Sequence, residues 1–76
     1  VAVLIRFRCC TVCMYPDDHP PPHFHIRMKD GRELLVAIQR LAVVAGNVPL
    51  REVDEAMAWA RENRLLLKGK WREMNS

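Results

Sequence analysis

Seventy-six residues are enough for one domain, and half of them are hydrophobic, which excludes a disordered tail. Twelve Lys/Arg against nine Asp/Glu leave a net charge of +3, compatible with an acidic or nucleic-acid partner but too small to select one. The apolar opening Val1–Ile5 is too short to span a bilayer before Arg6 and Arg8 interrupt it, and no charged leader with a small-residue cleavage site is read, so no membrane partner is expected.

Val1 to Phe7 is rich in β-forming residues, and Arg8-Cys9 is read as a tight turn into a second strand, Cys10 to Tyr15. Consecutive prolines cannot donate to a ladder, so Asp17 to Pro22 is expected to be irregular. His23 to Lys29 alternates, with Phe24, Ile26 and Met28 on one face and His23, His25, Arg27 and Lys29 on the other. Asp30-Gly31 reads as a two-residue hairpin turn, which pairs Arg27 with Leu34, His25 with Val36 and His23 with Ile38. Ala42 to Ala45 adds a short last strand. Pro49 suits a first helical position, and Leu50, Val53, Met57 and Ala60 then share one helical face. Gly69 is expected to stop or kink the helix, with Trp71 packing back on the sheet or on a partner. The predicted class is α+β in a single domain, 1–76. An antiparallel meander of four to five strands over roughly 2–45 is packed by one or two C-terminal helices over roughly 48–74.

Tyr15-Pro-Asp17-Asp18-His19-Pro-Pro-Pro22-His23-Phe24-His25 holds every histidine of the chain and four of its five prolines. Imidazoles and carboxylates bind metals and move protons near neutral pH. His23 and His25, two apart on one strand face, are candidate ligands for a divalent transition metal together with His19, with further ligands available from the loop residues Asp17 and Asp18. The same residues also read as a metal-free acid–base pair. His23 and His25 would act on an RNA phosphodiester, Tyr15 would assist, and Arg27 and Lys29 would contact phosphate. The plainest reading is a rigid turn, in which Asp17 or Asp18 accepts backbone N–H bonds and the prolines fix the crossing.

Cys9, Cys10 and Cys13 make an odd, crowded set rather than a disulfide framework, so reduced thiols in the cytoplasm are expected. Cys10-Thr-Val-Cys13 has zinc-knuckle spacing but no second pair, and residues three apart on a strand face opposite ways. These cysteines are read as small buried hydrophobes. Trp59 and Trp71 are read as core or interface aromatics. A chain this short and apolar covers surplus apolar surface by pairing, which points to a homodimer.

The stretch from Tyr15 to Ile26 resembles the signature of a bacterial family catalogued as domain of unknown function 4160. The matching residues are Tyr15, Asp17, Asp18, His19, Pro21, Pro22, His23 and His25. The ending Arg61-Glu-Asn-Arg-Leu-Leu-Leu-Lys-Gly-Lys-Trp71 is similar to that family's helix. The cysteines and Gly69 depart from its usual apolar and uniformly helical residues. The resemblance implies a small cytoplasmic bacterial protein encoded beside a second small gene, in pairs proposed to be toxin–antitoxin-like. The expectation is therefore a non-enzymatic binding or regulatory module of such a pair, with the neighbouring gene's product as partner. The alternatives are a ribonuclease-like toxin acting on RNA through His23 and His25, and a His-ligated metal protein.

Overall fold

In the computed structural model, residues 1–75 are described. Five strands run β1 (Ala2–Arg6), β2 (Cys10–Met14), β3 (His23–Met28), β4 (Glu33–Ala37) and β5 (Ala42–Gly46). A 3₁₀ turn (Leu50–Val53) and two helices, α1 (Asp54–Glu62) and α2 (Arg64–Asn75), follow. The strands pair antiparallel in sequence order, β1-β2-β3-β4-β5, so the expected meander is the fold, with β1 and β5 as its edges. No helix is long and apolar enough to cross a membrane among the described residues.

Strand alternation divides the sheet into two faces. One carries Cys10, Val12 and Met14 from β2, Phe24, Ile26 and Met28 from β3, and Leu34 and Val36 from β4. These form the core together with Ile38, Val53, Ala56, Met57, Ala60 and Leu67. Phe24, Ile26, Val36 and Ile38 are 0% exposed, and each buried aliphatic or aromatic side chain of this size contributes about 1.5–3 kcal/mol. The expected helical stripe holds at Val53, Met57 and Ala60. Leu50 departs from it: it opens the 3₁₀ turn and stays half exposed.

The Arg8-Cys9 turn forms as expected, with the Phe7 N–H donating to the Cys10 carbonyl at 2.8 Å. The Asp30-Gly31 hairpin does not. Met28 N–H donates to the Arg32 carbonyl at 2.8 Å, which leaves Lys29, Asp30 and Gly31 as a three-residue loop. Gly31 alone in this loop has positive φ, +98°, and Asp30 Oδ1 accepts the Arg32 N–H at 3.1 Å. That is a type I turn closed by a left-handed glycine, which needs one positive φ where the two-residue turn needs two. The β3–β4 register consequently moves by one residue. His23 lies opposite Ala37, His25 opposite Leu35 and Arg27 opposite Glu33, correcting the pairing with Ile38, Val36 and Leu34. Since a one-residue slip exchanges faces, Val36 and Ile38 belong to the core, and Glu33 comes to the histidine face.

The helical break also falls elsewhere than expected. Gly69 lies inside α2, which continues through Trp71 to Asn75. The chain breaks at Asn63 (φ −124°, ψ 29°), whose side-chain amide donates to the Trp59 carbonyl at 2.8 Å and whose backbone N–H donates to Ala60 O at 3.2 Å. Those bonds satisfy carbonyls that a helix end leaves without partners. A mid-helix glycine costs about 1 kcal/mol against alanine, too little to end a helix that buries Leu67 and half-buries Trp71.

Candidate metal centre

The end of the sheet where β2 finishes, β3 begins and β4 finishes is covered by the proline-rich segment from Tyr15 to Pro22. Two hydrogen bonds to the last turn of α2 hold that segment. Asp17 N–H donates to the Met74 carbonyl at 3.3 Å, and Asp18 N–H donates to Asn75 Oδ1 at 2.6 Å. Asp17 takes a left-handed conformation, φ +55°, which aspartate tolerates better than most residues. The adjacent carboxylates thus have different tasks: Asp17 turns the chain, exposed, and Asp18 points to the histidines. The Pro20–Pro21 peptide is cis.

His23 is 97% buried and its ring lies between His25 and Trp71, with centroid separations of 5.1 Å to each. Its Nδ1 is 2.8 Å from the Pro21 carbonyl, which can only accept, so Nδ1 carries the proton and Nε2 presents its lone pair. His25 Nδ1 is 2.8 Å from Glu33 Oε2, again an acceptor, which directs His25 Nε2 the same way. Both Nε2 atoms converge on a single oxygen. Asp18 Oδ2 is 2.9 Å from His23 Nε2 and 3.2 Å from His25 Nε2. The His23 contact lacks hydrogen-bond angles, so among the described residues His23 Nε2 is buried without a hydrogen-bond partner.

With both imidazoles neutral and protonated at Nδ1, two Nε2 lone pairs would sit beside a carboxylate. The site therefore calls for positive charge there, from a proton on His25 Nε2, which then donates to Asp18 Oδ2 at 3.2 Å, or from a cation shared with the unpartnered His23 Nε2. Two added protons would set like charges on adjacent buried rings; one divalent ion places the charge at the point of convergence. Ligand atoms about 2.1 Å from a common ion lie about 3.0 Å apart at right angles and about 3.4 Å apart at the tetrahedral angle. The two observed separations match such edges, and the ligand atoms of Asp18, His23 and His25 all lie within 4.8 Å of one another. Each histidine also donates its other ring proton to a carbonyl or carboxylate, the supporting bond usual for metal-bound imidazole. Burial pushes the Asp18 carboxyl up. The hydrogen bond from a protonated His25 Nε2, the His19 backbone N–H and the positive charge the two imidazoles carry when protonated outweigh it and hold the group below its ordinary value.

Of the residues singled out from sequence, the structure brings together His23, His25 and Asp18. His19 stays 79% exposed, with Nδ1 3.1 Å from the opposite oxygen, Asp18 Oδ1, outside the converging set. Tyr15 packs edge-on against His25 at 4.6 Å. Burial, followed by the neighbouring Cys13, pushes its hydroxyl above the ordinary value. Arg27 is exposed on the histidine face opposite Glu33, while β3 ends at Met28 and leaves Lys29 in the turn. Cys13 is buried opposite His25 and Cys10 lies in the core; both are free thiols outside the ligand set. Sequence reasoning missed Glu33 and Asn75. A three-residue hairpin loop would have signalled Glu33, whereas Asn75 is 57 residues from its partner and no local pattern marks it.

The family model described as Domain of unknown function (DUF4160) matches residues 10–72, a span that contains Asp18, His23, His25 and Glu33. No curated protein matches the chain, and no solved structure does.

Proposed function

The chain belongs to the DUF4160 family, and from the geometry of the site we propose that it is a metal-binding module in which Asp18, His23 and His25 hold one divalent transition-metal ion. The observation that carries this reading is the buried, unpartnered Nε2 of His23, which lies 2.9 Å from, without pointing at, a carboxylate oxygen that His25 Nε2 also approaches. Two imidazole nitrogens and one carboxylate oxygen suit zinc, iron(II) or nickel, and three protein ligands leave positions for water or a bound ligand. Within the expected regulatory gene pair, such an ion would order the proline-rich segment against α2 and so fix the surface offered to a partner.

The test uses untagged protein stripped with chelator and titrated calorimetrically with zinc, nickel or, without oxygen, iron(II). One ion per chain is expected. Asp18→Ala, His23→Ala and His25→Ala should each weaken binding by at least about a hundredfold, consistent with loss of one of three ligands, and His19→Ala should leave it nearly unchanged. A folded wild-type protein that takes up none of these ions stoichiometrically would sink the proposal.

A second reading is favoured by the unbroken Glu33–His25–Asp18 chain of contacts. That chain is also the arrangement for metal-free proton transfer, the ribonuclease-like alternative, with Arg27 nearby for phosphate. RNA cleavage that persists in chelator and vanishes in His23→Ala and His25→Ala would select it over the metal centre.

A further inference from the structure

A cavity of about 400 Å³ opens between α2 and the ends of β3 and β4. It is lined by Pro22, Ile38, Gln39, Lys68, Trp71, Arg72 and Asn75. Its accessible apolar surface comes from the half-buried Trp71 and the exposed Pro22 ring, with the fully buried Ile38 behind them. Lys68 and Arg72 stand at its rim one helical turn apart. Among the described residues no carboxylate lines the cavity and neither cation makes an ion pair. Like charges at this spacing disfavour a helix, a cost that an anion between them removes. Arginine presents a planar fork suited to carboxylate or phosphate oxygens, and lysine adds a point charge. The apolar surface below them requires more of a ligand than charge.

We infer that this cleft binds a small organic anion, with its carboxylate or phosphate on Lys68 and Arg72 and a flat apolar body on Trp71 and Pro22. The volume lies within the usual range for small-molecule sites, which combine an apolar lining with few polar groups. Among the described residues of the lining, Gln39 supplies the one side-chain amide free to orient the ligand, since both groups of the Asn75 amide are engaged, by Asp18 N–H and by the Trp71 carbonyl. None of the three proposed metal ligands lines the cleft, although Trp71 and Asn75 border both sites.

The experiment is a titration of the isotope-labelled chain followed by amide and indole resonances, with benzoate and phenyl phosphate as probes. Benzyl alcohol matches the ring without charge, and acetate and inorganic phosphate match the charge without the ring. Saturable shifts at Gln39, at the Trp71 indole and along residues 68–75 are expected with benzoate, phenyl phosphate or both, and the tighter of the two identifies the preferred acid. Lys68→Gln combined with Arg72→Gln, both exposed positions, should weaken binding at least tenfold, while Arg72→Lys should retain part of it. Absence of saturable shifts with both aromatic anions overturns the inference. So does equal binding of benzyl alcohol, or equal binding of acetate or inorganic phosphate, the last meaning an adventitious ion only.

Discussion

Asn75 Oδ1 accepts the Asp18 backbone N–H at 2.6 Å, joining the last turn of α2 to the loop that supplies the carboxylate of the candidate centre. The same side chain donates to the Trp71 carbonyl at 3.1 Å, so it also closes the helix whose tryptophan lies against His23. Asn75→Ala removes no ligand atom but frees the loop. Metal affinity is expected to fall about tenfold to a hundredfold, as for supporting residues of other metal sites, with a stability loss of about 1 kcal/mol. Calorimetry and urea unfolding of the variant check both figures. Unchanged affinity would show that the loop holds its position without α2.

Glu33 acts on the site through His25. Its carboxylate fixes which ring nitrogen carries the proton, and therefore which one faces Asp18. Glu33→Gln keeps an acceptor oxygen and should cost less than tenfold in metal affinity, whereas Glu33→Ala should cost about tenfold to a hundredfold. The order of the two variants is the informative quantity. A role in overall stability alone would lower the unfolding midpoint without separating their affinities.

The meander, the irregular proline segment and the histidine strand were legible because each depends on local chemistry: alternation, missing N–H donors and glycine in a turn. Glu33 was hidden by one residue of register. Asp30-Gly31 suits both a two-residue loop and a longer one, and the side-chain bond from Asp30 to the Arg32 N–H decides between them. The separate roles of Asp17 and Asp18 depend on where α2 ends, a tertiary fact. Gly69 misled for a related reason, since its propensity is weaker than the packing of Leu67 and Trp71 on either side. The convergence of the histidines on Asp18 needed the loop to fold back over the strand, which spacing alone does not specify.

Gly46 has a requirement that no other glycine of the described chain shares. Its φ is +112°, and a Cβ there would strike the backbone oxygen of Glu33 and lie 2.9 Å from Leu34 Cα, its partner across the sheet. Neither neighbour is a flexible side-chain end, so the β4–β5 pairing itself must shift. Gly46→Ala should destabilise by about 2–4 kcal/mol, and because the obstacle is Glu33 it should also weaken metal binding at the proposed site. Gly31→Ala meets open space and bears backbone strain alone, about 1 kcal/mol. Urea unfolding of the two variants under one condition tests the ranking; equal losses would contradict it.

Cys10 separates folded from unfolded chain at alkaline pH. Burial pushes its thiol up from the ordinary 9.0 to about 12, with the adjacent Cys9, its Sγ 3.2 Å away, and then Glu55 adding to the effect. The folded state thus retains a proton that the unfolded chain loses. The associated stability is complete below the unfolded value of 9.0 and is lost as pH rises towards about 12, at about 1.4 kcal/mol per pH unit at most. Cys10→Ala should remove that slope, read as the difference between wild-type and variant urea unfolding from pH 8.5 to 10.5. In the native protein at pH 8, iodoacetamide should modify the half-buried Cys9 well before Cys10 or Cys13, which are each 1% exposed. Rapid modification of all three thiols under native conditions would mean that the β1–β2 end of the sheet opens far more readily than its burial implies.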